Sequence, residues 1–143
     1  MRIDLPDQDA TESLAARLAG LARPGDAILL AGPLGAGKST LARAFLRAAA
    51  GDPSLEVPSP SFTLVQSYDT RLGPVHHFDL WRLSGPGALV ELGWDELTGG
   101  IVLVEWPERL GPLRPEGALM VSLADAGETA RVAVLEGWDG RWR

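Results

Sequence analysis

Several residue types are missing or scarce in this sequence, and each absence excludes a class of protein. The 143 residues include no cysteine, which excludes disulfide bonds, thiolate zinc sites and cysteine nucleophiles. Long hydrophobic runs are also absent. The strongest apolar run, 101–104, is far shorter than the roughly 20 residues that a membrane-spanning helix needs, and no leader-like apolar stretch follows Met1. We therefore expect a soluble, cytoplasmic protein that does not enter a membrane.

Basic residues are outnumbered by acidic ones. The chain has 13 lysines and arginines against 19 aspartates and glutamates, and its formal net charge is −6. A surface that binds nucleic acid directly neutralises phosphates with basic side chains, and this balance argues against such a surface. We expect no direct DNA binding, and a tRNA partner would be reached only indirectly, through another protein.

Lysine occurs at one position only, inside a glycine-rich segment. The sequence Gly-Pro-Leu-Gly-Ala-Gly-Lys-Ser, residues 32–39, fits the phosphate-loop pattern G-x-x-x-x-G-K-[ST] at every fixed position. Glycines allow consecutive backbone N–H groups to converge on phosphate oxygens, and the following helix adds its positive dipole end. We predict that Lys38 reaches the β- and γ-phosphates and that the Ser39 hydroxyl ligates Mg²⁺.

The flanking sequence has the context that a phosphate loop requires. The apolar run 27–31 is typical of a strand buried in a parallel sheet. Apolar residues between 41 and 49 then line one face of a helix, which Gly51 closes. Upstream, Asp9 to Glu12 resembles a capping box that opens an earlier helix.

The remaining pattern predicts an α/β fold. Strands are predicted over 62–68, 75–79 and 101–105, a short helix within 85–93, and a closing hairpin from 118–124 and 129–135. Residues 1–143 are predicted to form a single P-loop domain, because the length suits one domain. We expect three layers, with a mixed, mostly parallel central sheet and a C-terminal antiparallel hairpin.

Two acidic residues are candidates for organising the metal ion. Asp79 and Glu105 are each the first charged residue after an apolar strand, and carboxyl ends of parallel strands face the ligand in α/β sheets. We assign Glu105 to Mg²⁺, directly or through water, because its strand is the more apolar. Asp79 is assigned to orienting or deprotonating the attacking water. The alternative is that one of them is only a strand-end or capping carboxylate.

Other noticeable residues allow two interpretations. His76 and His77 alternate along one strand, so at most one is expected to point inward. A solvent-facing or a core histidine is favoured over a metal ligand. The segment 59–63 is either a loop over the γ-phosphate or an ordinary proline-rich connector. The five tryptophans favour core or partner-surface roles, because the charge balance argues against a base-stacking surface.

The nucleotide is predicted to be ATP. The guanine-specific segment Asn-Lys-x-Asp cannot form, because the chain has no asparagine and its only lysine lies in the phosphate loop. The chain is too short for motor, helicase or AAA-type machines. A small ATPase, a small-molecule kinase and a nucleotide-gated interaction module remain open.

Four motifs in order resemble one family. They are Gly-x-Leu-Gly-Ala-Gly-Lys-Ser-Thr from Gly32, Ser-Pro-Ser-Phe-Thr-Leu-Val from Ser59, His-Phe-Asp-Leu-Trp-Arg-Leu from His77 and Val-Glu-Trp-Pro from Val104. Together they resemble the TsaE family, also called YjeE, which are small bacterial ATPases of tRNA N6-threonylcarbamoyladenosine synthesis. The resemblance covers nearly the whole chain. Trp81 departs from the pattern, which usually has tyrosine there.

The resemblance implies a function and a set of site residues. It implies a Mg²⁺-dependent P-loop ATPase, slow by itself and stimulated by partners, that acts on the TsaB–TsaD complex during modification of adenosine 37 of tRNAs. It places Trp106 beside the site and the stretch from Gln8 to Thr11 near the base. It assigns Lys38 and Asp79 to catalysis and Ser39 and Glu105 to the metal. The expected nucleotide-binding residues are Gly32, Leu34, Gly35, Ala36, Gly37, Lys38, Ser39 and Thr40.

Overall fold

The central element of the fold is a seven-stranded mixed sheet with the order β1-β7-β6-β2-β5-β4-β3. The computed structural model describes residues 1–142. The four central strands, β6, β2, β5 and β4, run parallel, while β3 and β7 are antiparallel to their neighbours. The strands are β1 (Arg2–Leu5), β2 (Ala27–Ala31), β3 (Val65–Thr70), β4 (Gly73–Asp79), β5 (Ile101–Glu105), β6 (Leu119–Asp125) and β7 (Arg131–Glu136).

Helices cover both faces of the sheet. The helical elements are α1 (Gln8–Leu21), α2 (Lys38–Ala50), α3 (Pro86–Glu91), α4 (Trp94–Leu97) and a 3-10 segment (Pro107–Leu113). The long helices α1 and α2 pack together on one face, and the short elements cover the other. The predicted three-layer α/β fold with a C-terminal hairpin is confirmed. Within residues 1–142, no helix is both long and apolar enough to cross a membrane.

The buried core explains why β2 and β5 occupy the centre. All five residues of β5 are buried, and so are four of the five in β2. Strands of this kind need cover on both faces, and two apolar clusters supply it. The apolar stripe predicted along α2 is buried against one face, with Phe45 and Leu46 at most 1% exposed. This packing places the start of α2 at the carboxyl end of β2.

Two local predictions were wrong at element boundaries, and one strand was missed. Helix α1 is capped by Asp7, whose Oδ1 accepts a hydrogen bond from the Ala10 N–H at 2.9 Å, so no capping box begins at Asp9. Strand β3 starts at Val65 rather than at Phe62, because Leu64 has a left-handed backbone with φ 68° that interrupts the extended chain. Strand β1 was not predicted at all, since its stability comes from pairing with β7, far away in sequence.

Candidate functional site

The glycine-rich turn between β2 and α2 requires glycine for steric reasons. Gly32, Gly35 and Gly37 have φ values of 143°, 81° and 101°, which L residues rarely adopt. A Cβ at Gly32 would also lie 2.4 Å from the Leu123 carbonyl oxygen, which is main chain and cannot move aside easily. The turn therefore lies directly against β6 and leads into the first turn of α2, where backbone N–H groups are available to an anion.

Lys38 is buried and held by main-chain oxygens of the loop itself. Its side chain donates hydrogen bonds to the carbonyls of Gly32 and of Pro33, the latter at 3.3 Å, and its Nζ lies 3.5 Å from the centre of the Trp106 ring. Burial lowers the pKa of Lys38, while the nearby carboxylates of Glu105, Glu108 and Asp79 act in the opposite direction. The only ammonium side chain of the protein is thus kept at the phosphate loop.

Glu105 is buried at the end of β5 and uses both carboxylate oxygens. Ser39 Oγ donates to Oε1 at 2.9 Å, and His77 Nε2 lies 2.7 Å from Oε2. The residue is only 2% exposed. The Glu105 carboxylate is therefore connected both to the first turn of α2 and to β4.

Asp79 lies beside Glu105, as the parallel pairing of β4 and β5 requires. The two residues are register partners, and Asp79 is 6% exposed. Its Oδ1 accepts from the Trp81 backbone N–H at 3.1 Å, and its Oδ2 accepts from Ser61 Oγ at 3.4 Å. The Ser61 hydroxyl in turn contacts that of Ser59 at 2.8 Å. The loop 59–63 thus borders the site through its serines.

These groups surround one open cavity of about 300 Å³. Its lining residues come from the phosphate loop, the serine loop and the ends of β4 and β5: Leu34, Gly35, Gly37, Lys38, Ser39, Thr40, Ser59, Ser61, Asp79, Glu105, Trp106 and Arg131. A second cavity of about 320 Å³ shares Gly37, Thr40 and Arg131 with it and extends toward Gln8 and Thr11 at the start of α1. The structure therefore has room for an elongated ligand across the loop.

Most of the residues predicted for the site line the first cavity, and two do not. The carbonyl of Gly32 receives the Lys38 side chain, and Gly32 itself contacts β6. Ala36 is fully buried and packs in the core between the sheet and helices α1 and α2. Neither residue therefore offers a side chain to a ligand in this cavity.

The sequence interpretation missed two residues. It expected at most one inward-pointing histidine, whereas His76 and His77 are both buried, because helices cover both faces of the sheet. His76 Nδ1 lies 2.7 Å from Ser67 Oγ, away from the cavity residues, and burial lowers its pKa. Arg131 was not singled out, yet it lies in both cavities and donates to the Gly35 carbonyl at 3.3 Å. The contact of β7 with the loop depends on strand order, which the sequence does not show.

The donor set fits magnesium in the presence of a phosphate ligand. No cluster of three or more histidine, aspartate and glutamate side chains that could hold a metal ion is found in residues 1–142. Mg²⁺ commonly uses one or two carboxylates together with substrate phosphates and waters. Ser39 and Glu105 supply a hydroxyl and a carboxylate 2.9 Å apart at the cavity. Such a site is complete only when a phosphorylated ligand contributes oxygens.

Comparison with known proteins agrees with this arrangement. The model of the family described as "Threonylcarbamoyl adenosine biosynthesis protein TsaE" matches residues 5–133. Proteins named tRNA threonylcarbamoyladenosine biosynthesis protein TsaE are similar in sequence: that of Rickettsia felis is 36% identical over 132 residues, covering 92% of this chain and 77% of the relative. That of Bacillus subtilis is 33% identical over 125 residues, covering 86% and 77%.

A solved structure is similar along almost the full length. The crystal structure of Bacillus subtilis YdiB aligns with a TM-score of 0.79 at 28% identity, covering 99% of this chain and 88% of that chain. The family match spans the phosphate loop and the ends of β4 and β5, which form the cavity. The chain belongs to the TsaE family.

Proposed function

We propose that this protein binds Mg²⁺-ATP in the first cavity and hydrolyses it, as the ATPase required for forming threonylcarbamoyladenosine at position 37 of tRNAs. The observation that carries the proposal is the convergence of Lys38, Ser39, Asp79 and Glu105 on one cavity at the end of a phosphate loop. Membership in the TsaE family supports the pathway. In this proposal, residues 1–143 act as one P-loop domain.

Each group of the phosphate loop has a role in binding ATP. The main-chain N–H groups of the turn and of the first turn of α2 bind phosphate oxygens, which they can do because glycines leave the backbone accessible. Lys38 exchanges its hydrogen bonds with the Gly32 and Pro33 carbonyls for the β- and γ-phosphates. Its partly desolvated ammonium gains a strong partner in the exchange. The ring of Trp106 lies against this ammonium and would sense its movement.

The carboxylates divide the remaining work. Ser39 and Glu105 would ligate Mg²⁺, which when bound neutralises charge on the phosphates and orients the γ-phosphate. Asp79 orients the attacking water or accepts its proton, since it borders the same cavity and its oxygens are held by Trp81 and Ser61. The second cavity, which reaches Gln8 and Thr11, would receive the base.

The partner is a TsaB–TsaD-type protein complex, and tRNA is reached only through it. The net charge of −6 opposes direct binding of nucleic acid. Large apolar side chains remain exposed near the cavity: Leu34 and Phe62 are each 82% exposed and Trp81 is 48% exposed. Exposed apolar groups grouped around a site are typical of surfaces that bind another protein.

The test is phosphate release from ATP with and without a TsaB–TsaD complex. We expect slow release by the protein alone and faster release with the partners. Lys38→Ala should lower the partner-stimulated rate by about 100- to 1000-fold, the usual effect of removing a preorganised group that stabilises transition-state charge. Glu91→Gln, a change at the exposed carboxyl end of α3, is the control and should leave the rate unchanged.

Two other results would point to the functions left open by the sequence. Transfer of labelled γ-phosphate to a metabolite, with no inorganic phosphate released, would replace hydrolysis by a kinase reaction. Partner affinity that changes with ATP or ADP while no phosphate appears would replace it by a non-hydrolysing switch. An unchanged rate in Lys38→Ala would contradict the proposed site itself.

A further inference from the structure

The buried histidine on β4 shares a carboxylate with the first turn of α2. His77 is 1% exposed, and its Nε2 lies 2.7 Å from Glu105 Oε2. The other oxygen, Oε1, accepts the hydroxyl of Ser39 at 2.9 Å. One carboxylate is thus held from two sides, by a strand on one oxygen and by the phosphate-loop helix on the other.

Two partners on different oxygens fix the plane of the carboxylate. The terminal torsion of a glutamate side chain is broad, so one hydrogen bond alone leaves the group free to rotate. Glu105 is 2% exposed, which keeps bulk water from acting as an alternative partner for Oε2. The hydrogen bond from the imidazole therefore fixes the orientation in which the carboxylate presents its other oxygen to Ser39.

The rest of the imidazole indicates how it acts. His77 Nδ1 is buried and has no hydrogen-bond partner within residues 1–142. A buried N–H donor without an acceptor is more costly than a nitrogen lone pair without a donor. The hydrogen bonds of the ring therefore favour the tautomer that carries its proton on Nε2. His77 then donates one hydrogen bond to Glu105, and a neutral amide that reaches the same point could replace it.

We propose that His77 is a positioning residue for Glu105, fixing Oε2 so that Oε1 stays beside Ser39 in the cavity where magnesium is proposed to bind. The inference rests on the proposed function, because it concerns the same magnesium site. Outer partners of this kind typically change metal affinity by about 10- to 100-fold when they are removed.

The adjacent histidine provides a matched control. His76 is also buried, at 8% exposure, but it lies on the opposite face of β4 and contacts Ser67 rather than the cavity. At position 77, glutamine places its amide nitrogen about where Nε2 lies, whereas asparagine reaches only about as far as Nδ1. The informative variants are therefore His77→Gln, His77→Asn and His76→Gln, each in the full chain.

The experiment measures how Mg²⁺ strengthens ADP binding, by calorimetry at several Mg²⁺ concentrations. ADP affinity without Mg²⁺ should agree among all proteins. The Mg²⁺ concentration at which half of the increase in ADP affinity is reached should rise about 10- to 100-fold in His77→Asn. It should stay near the wild-type value in His77→Gln and His76→Gln.

The possible failures can be separated. If wild-type protein binds ADP with no effect of Mg²⁺, the magnesium part of the proposed function fails, and this inference fails with it. If wild type responds to Mg²⁺ and His77→Asn responds equally, only the inference is overturned. The inference would also be overturned if His77→Asn weakened ADP binding in the absence of Mg²⁺ by as much as it weakened the effect of Mg²⁺. That result would indicate that His77 only packs in the core.

A measurement on wild type covers the case in which His77→Asn does not fold. Nitrogen and proton NMR of the imidazole should show a slowly exchanging Nε2–H that shifts when Mg²⁺ is added to the ADP complex. A ring without a proton on Nε2, or a resonance that does not respond to Mg²⁺, would contradict the role of His77.

Discussion

The charged side chains at the two ends of β2 differ in whether they form ion pairs with each other. At its amino end, Asp26 forms a two-point ion pair with Arg141, with distances of 2.5 and 3.0 Å, and also accepts the Arg23 backbone N–H at 2.6 Å. At its carboxyl end, Lys38 forms no ion pair with a carboxylate of residues 1–142, although two buried carboxylates border the same cavity. At the amino end the charged side chains pair with each other, whereas at the carboxyl end the Lys38 ammonium has no carboxylate partner among these residues.

The difference separates groups that stabilise the fold from groups that remain available to a ligand. The Arg141 guanidinium also lies 4.6 Å from the Trp138 ring centre, which completes its surroundings. The hydrogen bond to Asp26 raises the pKa of Arg141, as expected for a satisfied pair. At the other end, the hydrogen bonds of Lys38 within residues 1–142 go to neutral carbonyls, and burial lowers its pKa. Such an ammonium gains most from a bound anion.

The largest expected effect comes from changing the carboxylate at the ligand end. Glu105→Gln should reduce ATP turnover by about 100-fold or more, because an amide neither neutralises nor ligates Mg²⁺ as a carboxylate does. The melting temperature should change little, since glutamine keeps a polar group between Ser39 and His77. Turnover and thermal melts on the same preparation measure both. Wild-type turnover in this variant would remove Glu105 from the proposed site.

A matched change at the other end should have the opposite profile. Asp26→Asn weakens a two-point ion pair in which the Arg141 and Asp26 side chains are 21% and 13% exposed, and should lower the free energy of unfolding by about 1–3 kcal/mol. ATP turnover below the melting range should remain at the wild-type value. Urea denaturation gives the stability and phosphate release gives the turnover. If the Asp26→Asn change lowered turnover strongly while the fold stayed intact, the separation between the two ends would be lost.

The smallest expected effect concerns the dependence of stability on pH. Burial lowers the pKa of His76, so the unfolded chain takes up a proton at this residue before the folded chain does. His76 therefore leaves the free energy of unfolding unchanged above about pH 6.5 and lowers it as the pH falls below that value. His76→Gln should make the decline between about pH 7 and pH 5 smaller. Denaturation curves across this range test it, and an unchanged slope would show that His76 does not contribute.

The phosphate loop and its strand and helix could be predicted because their signals are local. The spacing of Gly32, Gly37 and Lys38 and the apolar runs on either side are all contained in one short segment. The carboxylates could be predicted as well, because they follow apolar strands that were expected to be parallel, and β4, β5 and β2 are parallel. Their catalytic roles remain predictions.

The missed features depend on contacts that are distant in sequence. His77 becomes part of the site only because β4 pairs with β5, which brings Glu105 within 2.7 Å of it. Arg131 reaches Gly35 because β7 lies beside β6, next to the loop. Strand β1 is likewise held by β7 rather than by its own sequence. Periodicity and propensity do not contain strand order, so they assign none of these residues to the site or the sheet, although His77 begins one of the motifs that resemble the family.

A crystal structure with a non-hydrolysable ATP analogue and Mg²⁺ tests the central claim most directly. The account predicts the triphosphate in the cavity between the phosphate loop and the ends of β4 and β5, and the ion beside Ser39 and Glu105. The Lys38 side chain should have left the Gly32 carbonyl for a phosphate oxygen. An analogue bound elsewhere, or a triphosphate in the cavity with Lys38 still hydrogen-bonded to Gly32, would contradict it.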